Sequence, residues 1–142
     1  MGQKGASLSV SRLLRQFERT GGRGEYCGPF QDLPGAARDS LTASANLTSD
    51  EQPVIACFFD EDRWALLTSK RLVWRDGPEQ HAVASADLTS ATVSTDHLLD
   101  AGSKSAIAEL SIGTADGRAF QLRLEPGRPF FGFWNVLKLV AR

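Results

Sequence analysis

The sequence predicts an α+β fold: a partly open antiparallel β-barrel of seven strands, plugged by a C-terminal helix and preceded by an N-terminal helical extension. Three observations lead there. Short runs rich in Val, Ile, Leu, Phe and Trp recur from Pro53 to Glu125, separated by turn signals. The closing segment, GRPFFGFWNVLKLVAR, is apolar at helical spacing and follows all the strands. The first fifty residues carry helical spacing without a strand-like run.

From Leu8 to Arg19, the residues Val10, Leu13, Leu14 and Phe17 share one helical face, while Arg12, Arg15 and Arg19 occupy another. Gly21-Gly22 ends that helix. Residues 20–32, TGGRGEYCGPFQD, read as a loop. A second helix is expected over about 34–45, where Leu33, Ala37, Leu41 and Ala45 recur every fourth residue behind Pro34. Strands follow at 53–59, 64–68 and 71–75, with Asp60-Glu61-Asp62-Arg63, then Ser69-Lys70, then Asp76-Gly77 as their turns. Weaker strands are expected at 79–84 and 89–95, then a polar loop over 97–105. A hairpin over 106–114 and 118–125 turns at Asp116-Gly117, and a phase slip near Leu110 predicts a bulge. In the last helix Phe130, Phe133, Trp134, Leu137 and Val140 form the core face, leaving Phe131, Val136 and Leu139 for another cover. Trp74 and Trp134 are expected in the core.

A chain of 142 residues reads as one domain body, residues 51–142, with residues 1–50 packed onto it. A net charge of -1 gives no general pull toward nucleic acid or an anionic surface. The leader is locally basic: Lys4, Arg12, Arg15, Arg19 and Arg23 face only Glu18 and Glu25. It has no continuous apolar stretch of the secretory kind. Met1-Gly2 opens the chain, but Ala6 stands where myristoylation needs Ser or Thr. The apolar run from Phe130 to Val140 is too short to span a bilayer, so no transmembrane segment is expected. Cys27 and Cys57 lack CxxC spacing and predict neither a metal site nor a disulfide framework. Cys57, inside VIACFF, reads as a small buried hydrophobe, and the expected location is cytoplasmic.

The segments Pro53-Val-Ile-Ala, Leu66-Leu-Thr-Ser-Lys-Arg-Leu-Val-Trp74 and Ala86-Asp87-Leu88, with the aromatic terminal helix, carry a resemblance. From about Glu51 to Arg142 the chain resembles the bacterial pleckstrin-homology-like (PH-like) domains of the GRAM-like group. The resemblance covers about two thirds of the chain. It implies that Thr-Ser-Lys-Arg is the turn between two barrel strands. It also implies that Lys and Arg of the first hairpin loop and adjoining strands would grip inositol phosphates, as in some relatives. Here that loop is Asp60-Glu61-Asp62-Arg63, and its acids oppose a polyphosphate, so weak or no phosphoinositide binding is expected.

No catalytic constellation is legible. His81 and His97 have no ligand-spaced partner, and GxSxG, P-loop and GxGxxG patterns are missing. Asn46-Leu47-Thr48 matches a glycosylation acceptor, which has no meaning without export. The expectation is a non-enzymatic binding module with no cofactor or metal and no nucleic-acid ligand, acting on a protein partner or on a second copy of itself. Its candidate interaction surface comprises Arg12, Arg15, Arg19, Lys70, Arg71, Arg75, Phe131, Val136 and Leu139. The alternative is a peripheral membrane adaptor that uses the basic helix. A toxin-immunity or inhibitor protein is a third class that size and acidity permit.

Overall fold

Local signals start the chain's helices where the apolar spacing placed them. The Ser9 hydroxyl accepts the Arg12 amide at 3.1 Å and caps the first helix, α1, Val10–Thr20. Asn46, in the left-handed conformation at φ 53, closes α2, Gly35–Ala45. The computed structural model describes residues 9–93 and 107–141. His97, the polar loop expected over 97–105 and the far end of the strand expected over 89–95 lie outside the described residues.

Among the described residues, eight strands form two antiparallel sheets. The first contains β1 (Cys27–Pro29), β2 (Pro53–Asp60), β3 (Arg63–Thr68), β4 (Arg71–Asp76) and β5 (Glu79–Ala84) in sequential order. The second contains β6 (Leu88–Thr92), β7 (Glu109–Thr114) and β8 (Ala119–Arg123). The terminal helix α3, Arg128–Val140, completes the α+β fold. The expected seven-strand barrel is corrected to eight strands in two separate sheets among the described residues.

The additional strand is β1, inside the stretch expected to be a loop. Three residues containing Gly28 and Pro29 show no alternation, and only pairing with Cys57, Ala56 and Ile55 of β2 makes them a strand. The expected bulge at Leu110 is also absent: β7 and β8 pair in unbroken register from Glu109↔Arg123 to Gly113↔Ala119. Ile107, which set the phase slip, lies before β7 begins, whereas Leu110 and Ile112 both point inward and are fully buried.

The first sheet is apolar on both faces. Ala65, Leu67, Leu72 and Trp74 join the main core with Phe130, Phe133 and Leu137 of α3 and Leu110, Ile112 and Leu122 of the second sheet. Trp64, Leu66 and Val73 point the other way, onto Leu41 and Ala45 of α2 and onto Phe30. Antiparallel sheets often leave one face wet. Here α2 covers that face, which explains why β3 is buried from Trp64 through Thr68 without interruption.

The helices α1 and α3 cross at a glycine. A Cβ on Gly132 would lie 2.9 Å from the Phe17 ring and 3.0 Å from the Phe17 carbonyl oxygen. The missing side chain therefore lets Phe17 sit against the α3 backbone, where it is fully buried.

Cys27 and Cys57 are joined by a disulfide, which corrects the expectation of a free buried thiol and no disulfide. The Phe58 amide donates to the Tyr26 carbonyl at 3.0 Å, so the next rung, Cys27↔Cys57, is a narrow, non-hydrogen-bonded pair. Thirty residues of sequence separate the two cysteines, and a strand pairing across that distance leaves no spacing signature.

Candidate functional site

The Thr68-Ser69-Lys70-Arg71 hinge is a turn organised around a buried carboxylate. The Thr68 hydroxyl accepts the amides of Lys70 (3.1 Å) and Arg71 (3.0 Å) and donates to Glu51 at 2.6 Å. Arg71 donates to Glu51 through Nε at 2.7 Å, and through one terminal nitrogen to Glu51 at 3.2 Å and the Ala45 carbonyl at 2.6 Å. A cation thus meets the carbonyl end of α2, where the helix dipole favours it. Burial pushes the Glu51 carboxyl up, but hydrogen bonds from Arg71, Thr68 and the Thr48 amide outweigh it and hold the group below its ordinary range.

The neighbouring cations are also matched internally. Lys70 reaches Asp50 at 2.6 Å, and this contact with the Thr48 hydroxyl bond lowers Asp50 to about 2. Arg75 donates to the Gly77 carbonyl at 2.9 Å and lies 3.6 Å from Asp62. Arg63 lies 3.7 Å from Asp76. Asp60, Glu61 and Asp62 occupy an exposed turn in which the Asp62 amide donates to Asp60 at 2.8 Å. Lys70, Arg71 and Arg75 therefore sit among carboxylates and do not form a shared basic pocket.

Arg12, Arg15 and Arg19 remain exposed along one face of α1, and none forms an ion pair with a described residue. Arg19 donates to Gln16 at 2.7 Å. The terminal-helix candidates divide: Val136 is fully buried in the core, whereas Phe131 and Leu139 are half-buried and pack against its margin. Trp74 is buried as expected. Trp134 is only half-buried, and its indole N–H donates to the Ala91 carbonyl of β6 at 2.8 Å. The candidate residues thus lie on α1, on β4 with its hinge, and on α3, and Val136 belongs to the core.

Two arrangements were illegible in the sequence. Glu125, from the loop before α3, accepts the consecutive amides of Glu25 (2.8 Å), Tyr26 (2.7 Å) and Cys27 (2.9 Å). This small anion nest ties the free edge of β1 to the C-terminal half of the chain. The second is a groove of about 340 Å³ between Ala82, Val83 and Ala84 of β5, Asp87, and Thr114, Ala115, Asp116 and Arg118 of the β7–β8 turn. His81 of β5 packs against Trp74 and Phe120 (ring centroids 5.3 Å from each), which holds β5 against the second sheet beside the groove. Backbone pairing of residues far apart in sequence creates both, and no motif marks either.

Among the described residues no group of three or more His, Cys, Asp or Glu is placed to hold a metal ion. No described helix is long and apolar enough to cross a membrane. Comparison of the chain with protein-family models, curated proteins and solved structures returns no match.

Proposed function

We propose that this chain is a non-enzymatic PH-like binding module that acts by protein–protein interaction. Two features support the PH-like reading: four sequential antiparallel strands, β2–β5, followed by three more, β6–β8, and then a terminal helix packed into the core between them. The observation that carries the protein-binding reading is the internal neutralisation of Lys70, Arg71 and Arg75 by Asp50, Glu51 and Asp62. A phosphate ligand would have to displace those carboxylates, at the cost of a buried charge at Glu51.

The second reading, a peripheral membrane adaptor, is favoured by the exposed Arg12, Arg15 and Arg19 face. Vesicle sedimentation separates the two. Phosphatidylserine vesicles should leave the chain in the supernatant at physiological salt, while affinity capture from the native host should retain a protein that survives substitution of all three arginines by Gln. Salt-sensitive co-sedimentation that the triple substitution abolishes would establish the membrane reading instead. The cytoplasmic expectation rested on the absence of a disulfide, and the Cys27–Cys57 bond removes that support. Thiol titration of the chain isolated from its host decides the matter: two blocked cysteines mark an oxidising compartment.

A further inference from the structure

We infer that the free edge of β5 docks an extended segment of another protein, one that carries Lys or Arg beside small or β-branched residues. The inference rests on the binding-module reading and names the surface that reading would use.

The other sheet edges are protected. The outward amide of Cys27 on β1 is taken by Glu125, and that strand stops at Pro29. The Ala91 carbonyl on β6 is taken by the Trp134 indole. β8 is short and carries Arg123. Such devices suppress strand addition. β5 is less guarded: it contains no proline or cation, its one carboxylate is Glu79 at its first position, and it pairs with β4 in regular register from Asp76↔Glu79 to Arg71↔Ala84.

The direction of its hydrogen bonds follows from one contact. The Ser85 amide donates to the Lys70 carbonyl at 2.8 Å, so Val83 and His81 form the hydrogen-bonded rungs with β4. Ala82 and Ala84 consequently turn their N–H and C=O groups away from β4, and no described backbone group bonds to them from the other side. Both residues are exposed, and their methyl side chains are too short to fold over these backbone groups.

The groove beside this edge selects the occupant. Its far wall is the β7–β8 turn, so a segment lying along β5 would also meet Thr114, Ala115, Asp116 and Arg118. Asp87 is exposed and pairs with no cation among the described residues, while Asp116 is bonded to Arg118 at 2.8 Å. The uncompensated charge is negative, which favours Lys or Arg on the incoming strand. Backbone hydrogen bonds would supply the attraction, and the pattern of side chains would supply the selectivity.

The test uses the full chain, labelled with ¹⁵N, titrated with the peptide acetyl-Thr-Lys-Val-Thr-Lys-Val-amide and with a counterpart carrying Glu for Lys. The basic peptide should shift the amides of Ala82, Ala84 and the Thr114–Arg118 turn, and the acidic one should do so more weakly. Ala82→Pro removes an outward amide without touching the β4 ladder and should weaken the basic peptide by roughly tenfold or less, the worth of one hydrogen bond. N-methylating the peptide amides should do the same to the unmodified chain, so the test survives if Ala82→Pro fails to fold. Equal binding of the two peptides, no shift at millimolar concentration, or indifference to N-methylation would overturn the proposal. So would concentration-dependent shifts at β5 without peptide, which would assign the edge to a second copy. Shifts on the Arg12, Arg15 and Arg19 face would overturn the edge but leave the binding-module reading standing. Co-sedimentation with anionic vesicles and no peptide response would remove both.

Discussion

The guanidinium of Arg71 holds the carboxylate of Glu51 at 2.7 Å and, through the same side chain, the last-turn carbonyl of α2 at Ala45. A single turn residue thus joins the β3–β4 hinge to the helix that covers the outer face of the first sheet. Removing the cation leaves Glu51, whose side chain is 2% exposed, without its partner. Arg71→Met should cost about 3 kcal/mol in denaturant melts at neutral pH.

The same pair makes stability depend on acid. Glu51 has its folded pKa depressed below the ordinary value of 4.5, so the folded state binds the proton more weakly than the unfolded chain. Its contribution is present above pH 4.5 and is lost as pH falls through the folded value. Melting temperature should drop as pH falls below 4.5, and Glu51→Gln should flatten that drop while lowering stability at pH 7. Parallel acid profiles for the two proteins would show that another group is responsible.

Gly132 should tolerate no side chain. Alanine there would press on the Phe17 ring and carbonyl, and such overpacking costs about 1–3 kcal/mol. Combining Gly132→Ala with Phe17→Leu should recover part of the loss, because the ring is one of the two obstacles. Purely additive losses in the double variant would place the strain elsewhere.

The Cys27–Cys57 bond closes a segment of thirty residues that contains α2. Chain-entropy arguments put its contribution at about 3–4 kcal/mol. Reductant should lower the stability of the native chain by about that amount and leave a Cys27→Ser, Cys57→Ser double variant unchanged. Two free thiols by mass spectrometry, with no effect of reductant, would refute the pairing.

Soluble inositol phosphates should bind no more tightly than millimolar, because Lys70, Arg71 and Arg75 are occupied. Calorimetry that finds micromolar affinity, reduced by Lys70→Ala, would contradict this.

Trp74→Ala should cost about 3–5 kcal/mol, since Trp74 lies between Phe120 and the core at 2% exposure. A melting temperature unchanged by the substitution would remove Trp74 from the core.

Much of the fold was legible because it is written in local periodicity. Val10, Leu13 and Phe17 mark α1, Phe130, Phe133 and Leu137 mark α3, and Asp76-Gly77 and Asp116-Gly117 mark their hairpins, each within a few residues of chain. Less of the site was legible. Lys70 and Arg71 read as part of a candidate interaction surface because their charge is visible in sequence, whereas their partners Asp50 and Glu51 lie twenty residues away. Val136 read as open surface because the helical face shows that it is apolar but not that it faces the core.

By itself, the sequence determined where the helices and most strands lie, which residues are apolar enough to be buried, and that the first hairpin turn is acidic. Only tertiary structure decided that Gly28 and Pro29 belong to a strand, that Cys27 meets Cys57, that α2 covers Trp64 and Leu66, and that β5 ends its sheet among the described residues. The physical reason is range. A repeat of two or 3.6 residues follows from backbone geometry and is readable within a short window. Pairings such as Cys27 with Cys57 or Glu125 with the Tyr26 amide form because the whole chain has collapsed to bring them within hydrogen-bond or covalent distance, and nothing in the neighbouring residues records the partner.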